Sequence, residues 1–209
     1  MADDQVALAL LECNAVGFTP EQPITFKSGI RSPVYVDNRR LPFFPAAWHT
    51  VINAFASYIA TRQIHYDIIA GVAVGGVPHS AALAFTSGKP SVFIRKETKG
   101  YGKNQLVEGG DVAGQRVLLI EDLVTTGSSS LAAVAALRDS GAVVHDVLAI
   151  VQYGFAEAKN EFSAANVNLH TLTTFPVILA AALNTGRVTS YQYEAVSRWL
   201  ENPYQWQNP

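Results

Sequence analysis

From residue 117 the chain reads Val117-Leu118-Leu119-Ile120-Glu121-Asp122-Leu123-Val124-Thr125-Thr126-Gly127-Ser128-Ser129-Ser130, an apolar run followed by two adjacent carboxylates and a hydroxyl-rich turn. Thr125, Thr126, Ser128 and Ser129 offer hydroxyl donors, and Gly127 lets the backbone come close to an anion. A helix beginning after Gly127 adds free N–H groups and the positive end of its dipole. Together these make a cup for a phosphate monoester. Glu121 and Asp122 stand where a ribose would follow its 5-phosphate, and carboxylates accept hydrogen bonds from vicinal hydroxyls. They also stabilise positive charge developing on a sugar ring. An ordinary helix cap would account for one hydroxyl and leave the acidic pair unexplained. The P-loop pattern Gly-x-x-x-x-Gly-Lys-Ser/Thr occurs neither here nor around residues 71–76.

A second cluster lies upstream. Arg95, Lys96, Lys99 and Lys103, four of the fifteen Lys and Arg residues, are interleaved with Gly100, Tyr101 and Gly102. A cationic loop of this kind can close on a pyrophosphate leaving group, neutralise its charge and exclude water, then open for product release. A solvated charged loop is the plainer alternative. The neighbouring phosphate cup favours the chemical reading.

Stepping from these residues to the elements that must hold them, the chain from 67 onward alternates short β-branched runs with helical stretches. Strands are expected over 67–74, 91–95, 116–123, 143–151 and 168–172, and helices over 78–86, 128–140 and 156–164. Nearly continuous apolar strands separated by helices predict an α/β fold, a doubly wound parallel sheet of about five strands. Ligands of such sheets bind at the carboxyl ends of the strands. Upstream, a helix is expected over 4–16, a hairpin over 25–37 with its turn at Gly29, and a long helix opened by Pro42 and Pro45 and running to about Arg62. The reading is a single domain over 1–209, with a core over about 45–175. A small hood is expected from about residues 1–40 and a C-terminal helix over 190–201.

Composition narrows the function classes. With 209 residues and 49% hydrophobic content the chain can bury a sizeable core. A net charge of −2, with the other basic residues scattered, argues against nucleic-acid partners. No apolar run approaches the roughly 20 residues of a membrane span, and the acidic start at Asp3 and Asp4 is unlike a signal peptide. The one cysteine, Cys13, lies among Leu10, Leu11 and Val16 as a buried thiol would, which points to the cytoplasm. His49, His65, His79, His145 and His170 have no close metal-ligand spacing and read as structural or surface residues.

The run of hydrophobics, Glu121-Asp122 and Thr125-Thr126-Gly127 resembles the 5-phosphoribosyl-1-pyrophosphate signature of type I phosphoribosyltransferases. Two further segments are similar to orotate phosphoribosyltransferases in particular. One runs from Ile94 through Arg95-Lys96-Glu97-Thr98-Lys99-Gly100-Tyr101-Gly102 to Leu106-Val107-Glu108-Gly109; the other comprises Phe26-Lys27-Ser28-Gly29 and Ser32-Pro33-Val34-Tyr35-Val36-Asp37-Asn38-Arg39. The resemblance spans roughly residues 18 to 155. It implies the type I fold, transfer of phosphoribose to orotate in pyrimidine biosynthesis, and a magnesium ion held mainly by substrate oxygens, with Asp122 the protein group nearest to that role. It further implies that Glu121 and Asp122 take the ribose hydroxyls and that residues Leu123, Val124, Thr125, Thr126, Gly127, Ser128 and Ser129 line the donor site. The loop 95–109 would be shared across a homodimer, with Arg95, Lys99 and Tyr101 serving one chain's pyrophosphate, Lys96 the other's, and Lys99 the main catalytic cation. Many family members carry His where Tyr101 stands.

For the base, the resemblance implies contacts from Phe26, Lys27 and Thr125. Arg31, Arg39 and Arg40 each offer a fork for the orotate carboxylate, Arg39 lying within the matching motif. Simple core packing is the competing account of Phe26. Two departures mark a subfamily. Val74 and Gly75 stand where some members carry Tyr-Lys, and Gln152-Tyr153-Gly154-Phe155 stands where some carry Asp-Arg. Rival readings are a purine or uracil phosphoribosyltransferase, which would share only the cup, and a donor-sensing nucleic-acid regulator, which would need a separate basic patch. A fusion with the following decarboxylase would need a further domain beyond residue 209.

Overall fold

In this computed structural model, residues 2–26, 28–96 and 106–206 are described. The first half contains α1 (Ala2–Glu12), β1 (Val16–Phe18), β2 (Ile24–Thr25), β3 (Arg31–Ser32), β4 (Val34–Val36), a 3-10 helix (Asn38–Phe43) and α2 (Pro45–Arg62). Next come β5 (Ile68–Val72), α3 (Gly76–Ser87), β6 (Ser91–Ile94), β7 (Val107–Glu108), β8 (Arg116–Val124) and α4 (Ser128–Asp139). Then follow β9 (Val143–Gln152), α5 (Ala156–Ala164), β10 (Asn168–Thr174), α6 (Phe175–Asn184) and α7 (Ser190–Glu201).

The apolar runs pair as a sheet in the order β10-β9-β8-β5-β6-β7. The five expected strands are all there and parallel, and β7 is a sixth, pairing antiparallel with β6 on the edge. Side chains alternate along β8. Leu118 and Ile120 enter one core with α1, α2, α3, α6 and α7; Val117 and Leu119 enter another with α4 and α5. Period-two alternation buried on both faces makes the runs apolar throughout.

Three expectations change. The segment 25–37 is not one hairpin: β3 pairs with β2, while β4 crosses to β1, so Pro33 separates two short pairings. The first helix ends at Glu12, because Asn14 takes a positive φ of 52° and Val16 begins β1. Pro42 lies inside the 3-10 helix, and the long helix starts at Pro45. The helix α6 is an addition to the sequence reading, apolar on nearly every side and opened by Pro176 near its N-terminus.

Candidate active site

Registers level the strand ends. Gly71 lies opposite both Phe93 and Ile120, and Val124 lies opposite Gln152, so the loops after β5, β6, β8 and β9 emerge at one edge. From β5 the chain steps outward to β6, then returns to β8 on the other side. That reversal opens a crevice between β5 and β8, the place where open α/β sheets hold ligands.

The expected cup forms there. Gly127, with φ 92°, ends the turn after β8, and α4 begins at Ser128 with no side-chain cap on its N-terminus. Thr125 and Thr126 are half-buried, Ser128 and Ser129 exposed, and the Thr126 and Ser128 hydroxyls lie 3.1 Å apart. Uncapped amides at the positive end of a twelve-residue helix, ringed by hydroxyls, suit a dianionic phosphate. A Cβ on Gly127 would come within 2.8 Å of the Phe162 ring, so glycine is required for packing as well as for backbone sign. Leu123 is half-buried, and the buried Val124 side chain belongs to the core, leaving only its backbone for the site.

The two acids are unlike. Glu121 is buried; its Oε1 accepts the Asp122 amide at 3.0 Å and its Oε2 accepts the Ser130 hydroxyl at 3.1 Å. Burial, reinforced by the neighbouring Asp122 carboxylate, raises its pKa well above the usual glutamate value. Asp122 is half-buried and faces the loop after β5, where a Cβ on Gly75 would stand 2.1 Å from Asp122 Oδ2. A Cβ on Gly76 would stand 2.5 Å from the Ile120 carbonyl oxygen. The adjacent glycines therefore let the two loops touch.

The basic segment springs from the same edge. Arg95 N–H donates to the Leu106 carbonyl at 2.9 Å, and its guanidinium pairs with Glu108 at 3.3 Å, so Arg95 anchors the root of the loop. Lys96 is exposed. The expected Lys99 and Tyr101, and Lys27 in the hood, lie outside the described residues.

At the hood end, Phe26 is half-buried, its ring 5.6 Å from Tyr153 and 6.1 Å from Trp199. The competing account of Phe26 is thus partly right: one side of the ring belongs to an aromatic cluster that includes Phe155 and Phe175. Among the three arginines, the structure separates the candidates. Arg40 donates to the Cys13 carbonyl and lies over Phe44, while Arg31 is exposed on a strand whose carbonyl takes the Trp199 indole N–H. Arg39 binds Asp37 at 2.6 Å and feels the charge of Asp122, which together raise its pKa. The sequence reading had no signal for His79 and Trp48. They lie behind Asp122 together with Asn38, which stands in a quoted motif but had no role of its own.

A phosphate cup and an acidic pair at the switch point of a parallel sheet define a phosphoribosyl transfer domain, and residues 45–164 match the family described as "Phosphoribosyl transferase domain". An orotate phosphoribosyltransferase of Bacillus caldolyticus is 38% identical, over 96% of this chain and 97% of its own. The crystal structure of orotate phosphoribosyltransferase from Aeropyrum pernix superposes with a TM-score of 0.76 at 30% identity, covering 88% of this chain and 99% of that one. Leishmania donovani UMP synthase gives 0.84 at 28% identity, over 96% of this chain and 42% of the longer protein. The chain belongs to the orotate phosphoribosyltransferase family.

Proposed function

We propose that this chain transfers phosphoribose from 5-phosphoribosyl-1-pyrophosphate to orotate, giving orotidine 5′-monophosphate and pyrophosphate. The bond from C1′ to the pyrophosphate oxygen breaks, its electron pair leaving with pyrophosphate. The bond from orotate N1 to C1′ forms with inversion, and the N1 proton passes to solvent. The observation that carries this reading is the uncapped α4 N-terminus with its hydroxyl ring, set one loop away from a half-buried carboxylate at the switch point. The 5-phosphate sits on Thr125 to Ser129, with Leu123 and Val124 contributing backbone. The ribose hydroxyls meet Asp122, while Glu121 holds the Asp122 peptide from behind. With anions placed at both ends, an oxocarbenium-like transition state is reached mainly by positioning and by charge stabilisation.

Lys99 serves as the main cation on the departing pyrophosphate, supported by Lys96, Tyr101 and the loop root at Arg95. Phe26 and Lys27 hold the pyrimidine, Thr125 reaches it from the cup, and Arg39 forks its carboxylate. Among the described residues no three acidic, histidine or cysteine groups could cage a metal ion. A single half-buried carboxylate, Asp122, fits a hard cation that takes most of its ligands from substrate oxygens and water. When bound, magnesium supplies charge neutralisation on the pyrophosphate. The loop 95–109 completes the site of a second copy in a homodimer. Cys13, buried and with burial raising its thiol pKa, suits a reducing cytoplasm. No helix among the described residues is long and apolar enough to cross a membrane.

The test is pyrophosphate release with donor and magnesium, comparing orotate with uracil, adenine, guanine and no base. Orotate-dependent release with loss of orotate absorbance is the expected result. Release with another base would discard the hood assignments and keep the cup, and silence with every base would sink the catalytic reading. Mixing an inactive Lys99→Ala chain with an inactive Asp122→Asn chain checks the shared loop: a dimer that shares loops regains activity, and separate sites regain none.

A further inference from the structure

Behind Asp122 lies a buried polar group that the proposed chemistry does not use. The Trp48 indole N–H donates to His79 Nδ1 at 3.0 Å, joining the first turn of α2 to the first turn of α3. An acceptor at Nδ1 places the ring proton of neutral His79 on Nε2. His79 is fully buried, which lowers its pKa to about 4 against the opposing pull of the Asp122 charge, and so the ring is neutral at physiological pH. Nε2 faces the Asn38 backbone, whose carbonyl favours the ring proton without reaching full hydrogen-bond geometry. Asn38, also fully buried, spans the remaining gap: its Nδ2 donates to the Asp122 carbonyl at 2.6 Å. Two helices, the 3-10 segment and the end of β8 are thereby tied at one point. Buried polar groups in a low-dielectric interior are costly unless their geometry is kept, so such a bridge holds its members in place.

We propose that Trp48, His79 and Asn38 form a positioning bridge that fixes the Asp122 end of β8, and that this bridge sets the affinity for the phosphoribosyl donor from outside the phosphate cup. The proposal rests on the assignment of Asp122 to the ribose. Trp48 acts by selecting the histidine tautomer, His79 by presenting an N–H toward Asn38, and Asn38 by holding the Asp122 peptide. Because Asn38 stands between Asp37 and Arg39, the bridge also fixes the donor carboxylate relative to the base-side arginine.

The experiment combines kinetics, donor titration and the tautomer. Nitrogen-15 spectra of histidine-labelled wild-type protein, assigned by the signal that disappears in His79→Gln, are expected to show the Nε2–H form. Trp48→Phe should turn it into a mixture. His79→Phe, which removes the donor, should raise the donor KM and the calorimetric Kd for the donor about tenfold, the effect of one lost buried hydrogen bond. The orotate KM and the melting temperature should barely move. His79→Gln, whose side-chain amide can replace the Nε2–H, should restore donor affinity to within about threefold of wild type. An Nδ1–H ring in the wild type would overturn the proposal. So would an unchanged donor Kd in His79→Phe, or equal losses in the Gln and Phe variants that track melting temperature. Should His79→Phe fail to fold, the tautomer and donor Kd of Trp48→Phe decide alone. Calorimetry with donor alone separates this proposal from the catalytic one: a wild type that binds donor yet releases no pyrophosphate with orotate would sink the latter only.

Discussion

Around Asp122 the groups come from loops that leave neighbouring strands at the same level, 73–76 after β5 and 121–129 after β8, locked by glycines that bring backbone against carboxylate. Around Phe26 they come from residues 26, 153, 155, 175 and 199, gathered by aromatic packing between elements far apart in the chain. The donor end is set by backbone register, which tolerates almost no added volume. The base end is set by side-chain packing, which can repack around a change. Substitutions at the two ends should therefore fail in different kinetic parameters.

The largest effect is expected from Lys99→Ala, a fall of about 1000-fold in kcat with little change in donor KM, since the cation acts on charge that develops as pyrophosphate departs. Equal damage to kcat and donor binding in steady-state assays would count against that role. Gly75→Ala comes next. Its Cβ would stand 2.1 Å from Asp122 Oδ2, so the carboxylate must swing away, and the donor KM should rise about 30-fold with the orotate KM unchanged. If instead both KM values rise together, the two ends are not independent. Phe26→Ala should give the mirror image, an orotate KM about tenfold higher, an unaltered donor KM and a loss of about 2 kcal/mol in denaturant unfolding.

The smallest effect separates the two acids. Glu121 has a raised pKa in the folded chain, so its contribution to stability is full below the ordinary glutamate value and is lost as pH rises through the raised one. Glu121→Gln does not titrate and should gain on wild type by about 1 kcal/mol between pH 5 and pH 8, measured by urea unfolding across that range. A constant difference across the range would mean that the Glu121 carboxyl does not have the raised pKa its burial implies.

The same contrast decides what could be read from the residues alone. The parallel strands were legible because each is a compact β-branched run, and the helix Ala156–Ala164 has the expected bounds. Both the phosphate cup and the acidic pair lie in one continuous segment, so their chemistry showed directly. The α6 segment, FPVILAAALN, was not legible, because a helix apolar all round has no polar face to set its period. Nor was the crossing of Val34–Val36 to Val16–Phe18, since a three-residue strand carries no mark of a distant partner. The inward turn of Glu121 depends on Ser130, nine residues later on the first turn of α4, and adjacency to Asp122 suggested equal roles. His79 follows Pro78 in an unremarkable helix start, and only the fold brings Trp48 to its ring.

The bond from the Trp199 indole to the Arg31 carbonyl spans 168 positions in the chain. Every strand of the donor end has left the ribosome before Trp199 is made, and the platform that holds Phe26 closes only afterwards. During synthesis the protein therefore acquires its sugar-phosphate pocket first and its choice of base last, passing through a state with the general half of its chemistry and without the selective half.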